Sequence, residues 1–144
     1  MNWRLLTFHT FLIFSYPRFL RKDLNTILYI KCIVSVLGLP KFKNYTIPLG
    51  STDVLDIKLK VEKNHIVAFS LNYRAKIGKD FFQIYRVDTA HGFLHEQRFW
   101  ITPEPIPIPK MGKELKEIFE FYLDSIKGNY LRYRKYYEER MKLG

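Results

Sequence analysis

Within eleven residues, Tyr85-Arg86-Val87-Asp88-Thr89-Ala90-His91-Gly92-Phe93-Leu94-His95, the chain places an arginine, an aspartate and two histidines. Histidine gains and loses a proton near neutral pH, so two of them can act as base and acid on one substrate. Arginine binds phosphate through a planar fork and stabilises charge that develops on it. Aspartate orients an imidazole or pairs with the arginine. Together Arg86, Asp88, His91 and His95 form a candidate catalytic set for cleaving RNA, in which a 2′-hydroxyl attacks its own phosphate. A second chemistry takes Asp88, His91 and His95 as three ligands of a divalent metal with one position left open. A third reading is plain structure: an Arg86–Asp88 ion pair beside a turn at His91-Gly92. His9 and His65 are read as non-functional, and Glu96 with Arg98 as a surface pair.

The same segment resembles small uncharacterised prokaryotic proteins whose signature runs Arg-Tyr-Asp-Thr-Ala-His-Gly followed by a histidine. It is also similar to the TumE-type toxins of toxin–antitoxin loci. The matching positions are Arg86, Asp88, Thr89, Ala90, His91, Gly92 and His95, with Val87 in place of the tyrosine. The resemblance covers about residues 49–100. It implies an α+β sheet domain and a toxin that attacks RNA, with Arg86, Asp88, His91 and His95 as working residues; the expected activity uses no cofactor, and a cognate antitoxin is an expected partner.

Four strands are expected to position the set. Asp56-Ile57-Lys58-Leu59-Lys60-Val61-Glu62 alternates strictly, with Ile57, Leu59 and Val61 on one face and charges on the other. Lys63-Asn64-His65 has hairpin length. A second strand over Ile66–Arg74 sets Ile66, Ala68, Ser70 and Asn72 opposite Val67, Phe69, Leu71 and Tyr73. Phe81–Asp88 and Phe93–Ile101 complete an antiparallel meander, since connections of three to five residues allow little else. By the two-residue period, Arg86 and Asp88 share a face with Phe82 and Ile84. The Thr102–Pro109 run, with proline at every second position, reads as a stiff connector. Leu115, Ile118, Phe119, Tyr122 and Ile126 then form a helical stripe, with a break expected at Gly128-Asn129. The predicted fold is α+β: a four-stranded antiparallel β-meander over 52–101, a connector over 102–109 and C-terminal helices over 112–143, together residues 49–144.

Residues 1–48 are expected to form a separate apolar and basic N-terminal extension. Its runs Leu5–Tyr16 and Leu24–Leu39 fall short of the roughly 18–20 uninterrupted apolar residues of a spanning helix. A signal peptide would need a small-residue cleavage site that is not there. Membrane contact through an interfacial hairpin over residues 5–39 is the alternative to simple packing on the sheet. With one cysteine, Cys32, there is no internal disulfide and no Cys-based zinc cage, and a cytoplasmic location is expected.

The chain carries a formal charge of +10, which favours an anionic partner such as RNA. That charge lies mostly at the ends: a net of +6 over residues 1–48, +1 over 49–109 and +3 over 110–144. The C-terminal stretch interleaves Arg132, Arg134 and Lys135 with tyrosines, a possible strip for single-stranded nucleic acid. The competing reading is a terminal helix whose Tyr130, Tyr133 and Tyr137 face the core, or a non-catalytic interaction module that uses this tail.

Overall fold

The computed structural model describes residues 38–144. The expectations for the apolar runs before Gly38 lie outside the described residues. Six strands in chain order build one open antiparallel sheet: β1 (Lys41–Pro48), β2 (Asp53–Glu62), β3 (His65–Ile77), β4 (Asp80–Asp88), β5 (His95–Arg98) and β6 (Thr102–Pro107). One helix, α1 (Leu115–Leu143), follows and packs on β3 and β4. The α+β meander is therefore present, with six strands rather than four.

The alternation read from β2 and β3 holds. Leu55, Ile57 and Leu59 of β2 and Phe69, Leu71, Tyr73 and Ala75 of β3 are buried, and they join Ile84, Tyr85 and Val87 of β4 beneath Ile118, Phe119 and Ile126 of α1. Burying an aliphatic or aromatic side chain of this size contributes roughly 1.5–3 kcal/mol, which makes this one-sided core the chief source of stability. The β2–β3 turn is two residues, Lys63 and Asn64, both at positive φ. That is the twist a tight hairpin requires, and His65 begins the next strand.

Three differences from the sequence reading have local causes. The first is β1, which pairs with β2 from Lys41↔Val61 to Pro48↔Val54, so the sheet begins inside the stretch expected to be an extension. The second is β6. Prolines at 103, 105 and 107 exclude a central strand but not an edge strand, where the missing N–H groups face outward. The alternate positions still bond inward: β6 pairs His95↔Pro107 and Glu96↔Ile106, and Ile108 N–H donates to Leu94 O at 2.9 Å. The last expected strand shortens to His95–Arg98, because the chain turns at once into β6, with Ile101 N–H donating to Arg98 O at 2.8 Å. The third is α1, which runs unbroken through Gly128 and Asn129. A helical glycine costs about 1 kcal/mol. The stripe continues past it through Tyr130, Tyr133 and Tyr137, which pack on Tyr73, Tyr85 and Phe82 respectively.

A bulge in β4 decides where the candidate residues point. Tyr73 opposes Tyr85, yet the next residue, Arg74, opposes Gln83, which leaves Ile84 as the extra residue. A bulge reverses the in–out phase on its far side. Phe82 therefore faces α1, through its ring contact with Tyr137, while Arg86 and Asp88 lie on the opposite face. The expectation that Arg86 and Asp88 share a face with Phe82 and Ile84 is corrected by this one residue.

Candidate functional site

The sheet face turned away from α1 carries two rungs of polar side chains in register. One runs Asn44, Lys58, Ser70, Asp88, His95 across β1 to β5; the next runs Thr46, Asp56, Asn72, Arg86, Gln97. Side chains directly opposite on paired strands stand about 4.5–5.5 Å apart at Cβ, so each rung is a continuous array.

Asp88 is the centre of the array and only 1% exposed. Its Oδ2 is in ion-pair contact with Arg86 Nε, side by side on the strand and out of line for a hydrogen bond. Its Oδ1 accepts from Ala90 N–H at 2.8 Å and meets His95 Nε2 at 3.1 Å. His95, 3% exposed, turns its other nitrogen, Nδ1, to the Phe93 carbonyl at 3.2 Å. Both ring nitrogens thus lie against oxygen atoms, and these two contacts fix the orientation of the ring. The turn that follows β4 is pinned by the same carboxylate, as an aspartate side chain bonds the amide two residues on. Thr89 adds to this: its N–H donates to Phe69 O and its hydroxyl accepts from Phe69 N–H, each at 3.0 Å. His91 stands exposed at the tip of this turn with φ 61, its ring centroid 6.4 Å from that of His95.

All four predicted residues are therefore brought together, but in two roles. Half-buried Arg86 and buried Asp88 and His95 form a chain of contacts, and His91 is the exposed imidazole at its rim. Asp88, His91 and His95 do not converge as a metal site: no group of three such ligands among the described residues has that geometry.

Around this chain lie two clefts of about 390 Å³ each. Thr46, Asp56, Asn72 and Gln83 line the first; Phe42, Ala68, Thr89 and Ala90 line the second; Arg86 borders both. Asp56 in the first is already partnered. Arg74 donates to it through Nε (2.6 Å) and Nη2 (3.1 Å), and the Thr46 hydroxyl donates at 2.8 Å. Burial works to raise its pKa, but those hydrogen bonds and the Arg74 charge prevail and hold the carboxyl below the ordinary aspartate value.

The C-terminal residues separate. Tyr130, Tyr133 and Tyr137 face the sheet. Arg134 is engaged in clamping the helix down: its Nη1 donates to Thr52 Oγ1 (2.7 Å) and Asp53 Oδ2 (3.0 Å), its Nη2 to Lys76 O (3.1 Å) and its Nε to Glu138 (2.7 Å). Arg132 and Lys135 are exposed. Glu96 does pair with Arg98, at 2.6 Å, yet it is buried rather than on the surface. It accepts a 2.5 Å hydrogen bond from the Tyr85 hydroxyl beneath α1.

Sequence reasoning missed Asn44, Lys58, Ser70 and Asn72. The signal was present in part: the polar faces of β2 and β3 were read as such, but nothing local shows that their registers align with Asp88 and Arg86.

Residues 40–143 match the family model described as Domain of unknown function (DUF7718), and the chain belongs to that family. The matched span runs from the start of β1 to the end of α1. No curated protein and no solved structure matches.

Proposed function

We propose that this DUF7718 member is a toxin-like protein that cleaves RNA on the open face of its sheet, without a metal, using His91 as the proton carrier. The observation that carries the reading is the buried Asp88–His95 pair, joined to the half-buried Arg86, beside the exposed His91. A buried ionic group adds little stability over apolar packing, because desolvation offsets the Coulomb attraction. Its effect here is positional: it fixes the Arg86 guanidinium at the edge of both clefts and, through the Ala90 amide, the turn that presents His91.

In this mechanism His91 takes the proton from a ribose 2′-hydroxyl, and the 2′-oxygen attacks the adjacent phosphorus. The bond to the 5′-oxygen breaks, and His91 returns the proton to that leaving oxygen. The products are a 2′,3′-cyclic phosphate and a 5′-hydroxyl. Arg86 holds the phosphate and stabilises the charge that builds on it. His95, with both nitrogens against oxygen atoms, is a positioning residue rather than the second proton carrier of the sequence reading. The resemblance to TumE-type toxins supports the same assignment and makes a cognate antitoxin the expected partner.

The test is incubation of single-stranded RNA with the purified full chain in excess chelator. Wild-type protein should yield cyclic-phosphate ends, and His91→Ala should lower the rate by roughly 10²–10⁴-fold, the usual worth of general acid–base catalysis. RNA that stays intact after prolonged incubation overturns the reading. Cleavage that the chelator abolishes replaces it with a metal-dependent one.

A further inference from the structure

We infer that the open face is shaped for two adjacent nucleotides, with one phosphate subsite shared by both clefts; this rests on the RNA-cleaving reading and names the footprint of its substrate. Asn44, Lys58, Ser70 and Arg86 border both clefts, so what bridges the clefts must pass over these residues. Lys58 lies on β2, Ser70 directly opposite on β3, and Arg86 on β4. Strands are spaced about 4.8 Å apart, so a phosphate seated on the Ser70 hydroxyl has Lys58 directly across on β2 and Arg86 diagonally across on β4, one rung along from Asp88. Two carboxylates lie nearby, and both are already partnered: Asp56 by the Arg74 fork, and Asp88, directly opposite Ser70 on β4, by Arg86 and the Ala90 N–H.

The two clefts differ in chemistry, as the two sides of a phosphodiester unit need not be alike. The second presents Phe42, 69% exposed, beside Ala68 and Ala90. An exposed ring on a sheet next to cations is the stacking platform that single-stranded nucleic acids use. The first cleft contains Asn72, whose Oδ1 is buried and has no hydrogen-bond partner among the described residues. Asn72 and Gln83 line this cleft, and their side-chain amides carry the donors and acceptors that the edge of the second base requires.

A 2′-deoxy dinucleoside monophosphate tests this, since it has the footprint but not the attacking hydroxyl. Titrated into the full chain by calorimetry, it should bind one to one, and inorganic phosphate should compete. Lys58→Ala and Phe42→Ala, both at exposed positions, should each weaken binding roughly tenfold, as loss of a stacked base or a phosphate contact does. Failure of this inference and of the cleavage reading are separable. Binding that both substitutions weaken, with RNA left intact, keeps the footprint and removes the activity. Cleavage of RNA together with dinucleotide binding that neither substitution alters overturns the footprint and leaves the activity standing.

Discussion

Two tyrosines on the helix-facing side of the sheet are tied to carboxylates: Tyr73 donates to Asp53 at 2.7 Å and Tyr85 to Glu96 at 2.5 Å. Burial first, and then the adjacent carboxylate in each case, pushes both phenols well above their ordinary pKa. The folded state therefore keeps two protons that the unfolded chain releases near pH 10. Stability from these groups is intact below about pH 10 and declines as pH rises beyond it, by about 1.4 kcal/mol per pH unit for each tyrosine. Urea unfolding between pH 10 and 11.5 should show that slope developing, and Tyr85→Phe should lower it by about one tyrosine's share. The same substitution should cost about 1–3 kcal/mol at neutral pH by leaving Glu96 short of a donor. An unchanged slope would mean that Tyr85 is not held as described. At this scale the Asp88–His95 pair was legible, because a short hairpin fixes which residues meet. Lys58, Ser70 and Asn72 were not legible as site members, because their place beside Asp88 and Arg86 depends on three strand registers at once.

The elements were legible where one face is wet and the other dry. The strict alternation of β2 and the Phe69, Leu71, Tyr73 face of β3 correspond to what packs beneath α1. Edge strands lack that contrast: all of β1 except Ile47 is exposed, and β6 is mostly exposed, so the two-residue period has little to sort. The β4 bulge was hidden for another reason, since Phe81, Phe82, Ile84 and Tyr85 are apolar at both parities and admit either phase. In α1 a single glycine was weighed against a stripe that in fact spans it. A Cβ built at Gly128 meets nothing within 4 Å, and its backbone is helical. Gly128→Ala should therefore stabilise the protein by about 0.5–1 kcal/mol, by removing unfolded-chain entropy and restoring helix propensity. Thermal unfolding reads this as a higher Tm; a lower Tm would show that the glycine is needed for close packing.

The described unit is one sheet with one helix across a single face, so the helix supplies much of what closes the core. Its last half is not an appendage. Tyr130, Tyr133 and Tyr137 cover Tyr73, Tyr85 and Phe82, and Arg134 bridges to Thr52, Asp53 and Lys76. Deleting residues 130–144 should abolish the cooperative thermal transition and the near-ultraviolet circular dichroism; a truncated chain that still melts cooperatively would show the tail to be dispensable. No helix among the described residues is long and apolar enough to cross a membrane. The alternating prolines of β6 have an effect beyond their own strand. They remove the outward N–H groups along one border of the sheet, whereas β1, at the other border, carries its donors as far as Pro48. Strand-to-strand association between copies needs a usable border on each copy, and the described residues offer one. Two molecules can join border to border about a twofold axis, and the joined pair then has none left: growth by this route ends at a closed pair and cannot propagate into a fibre.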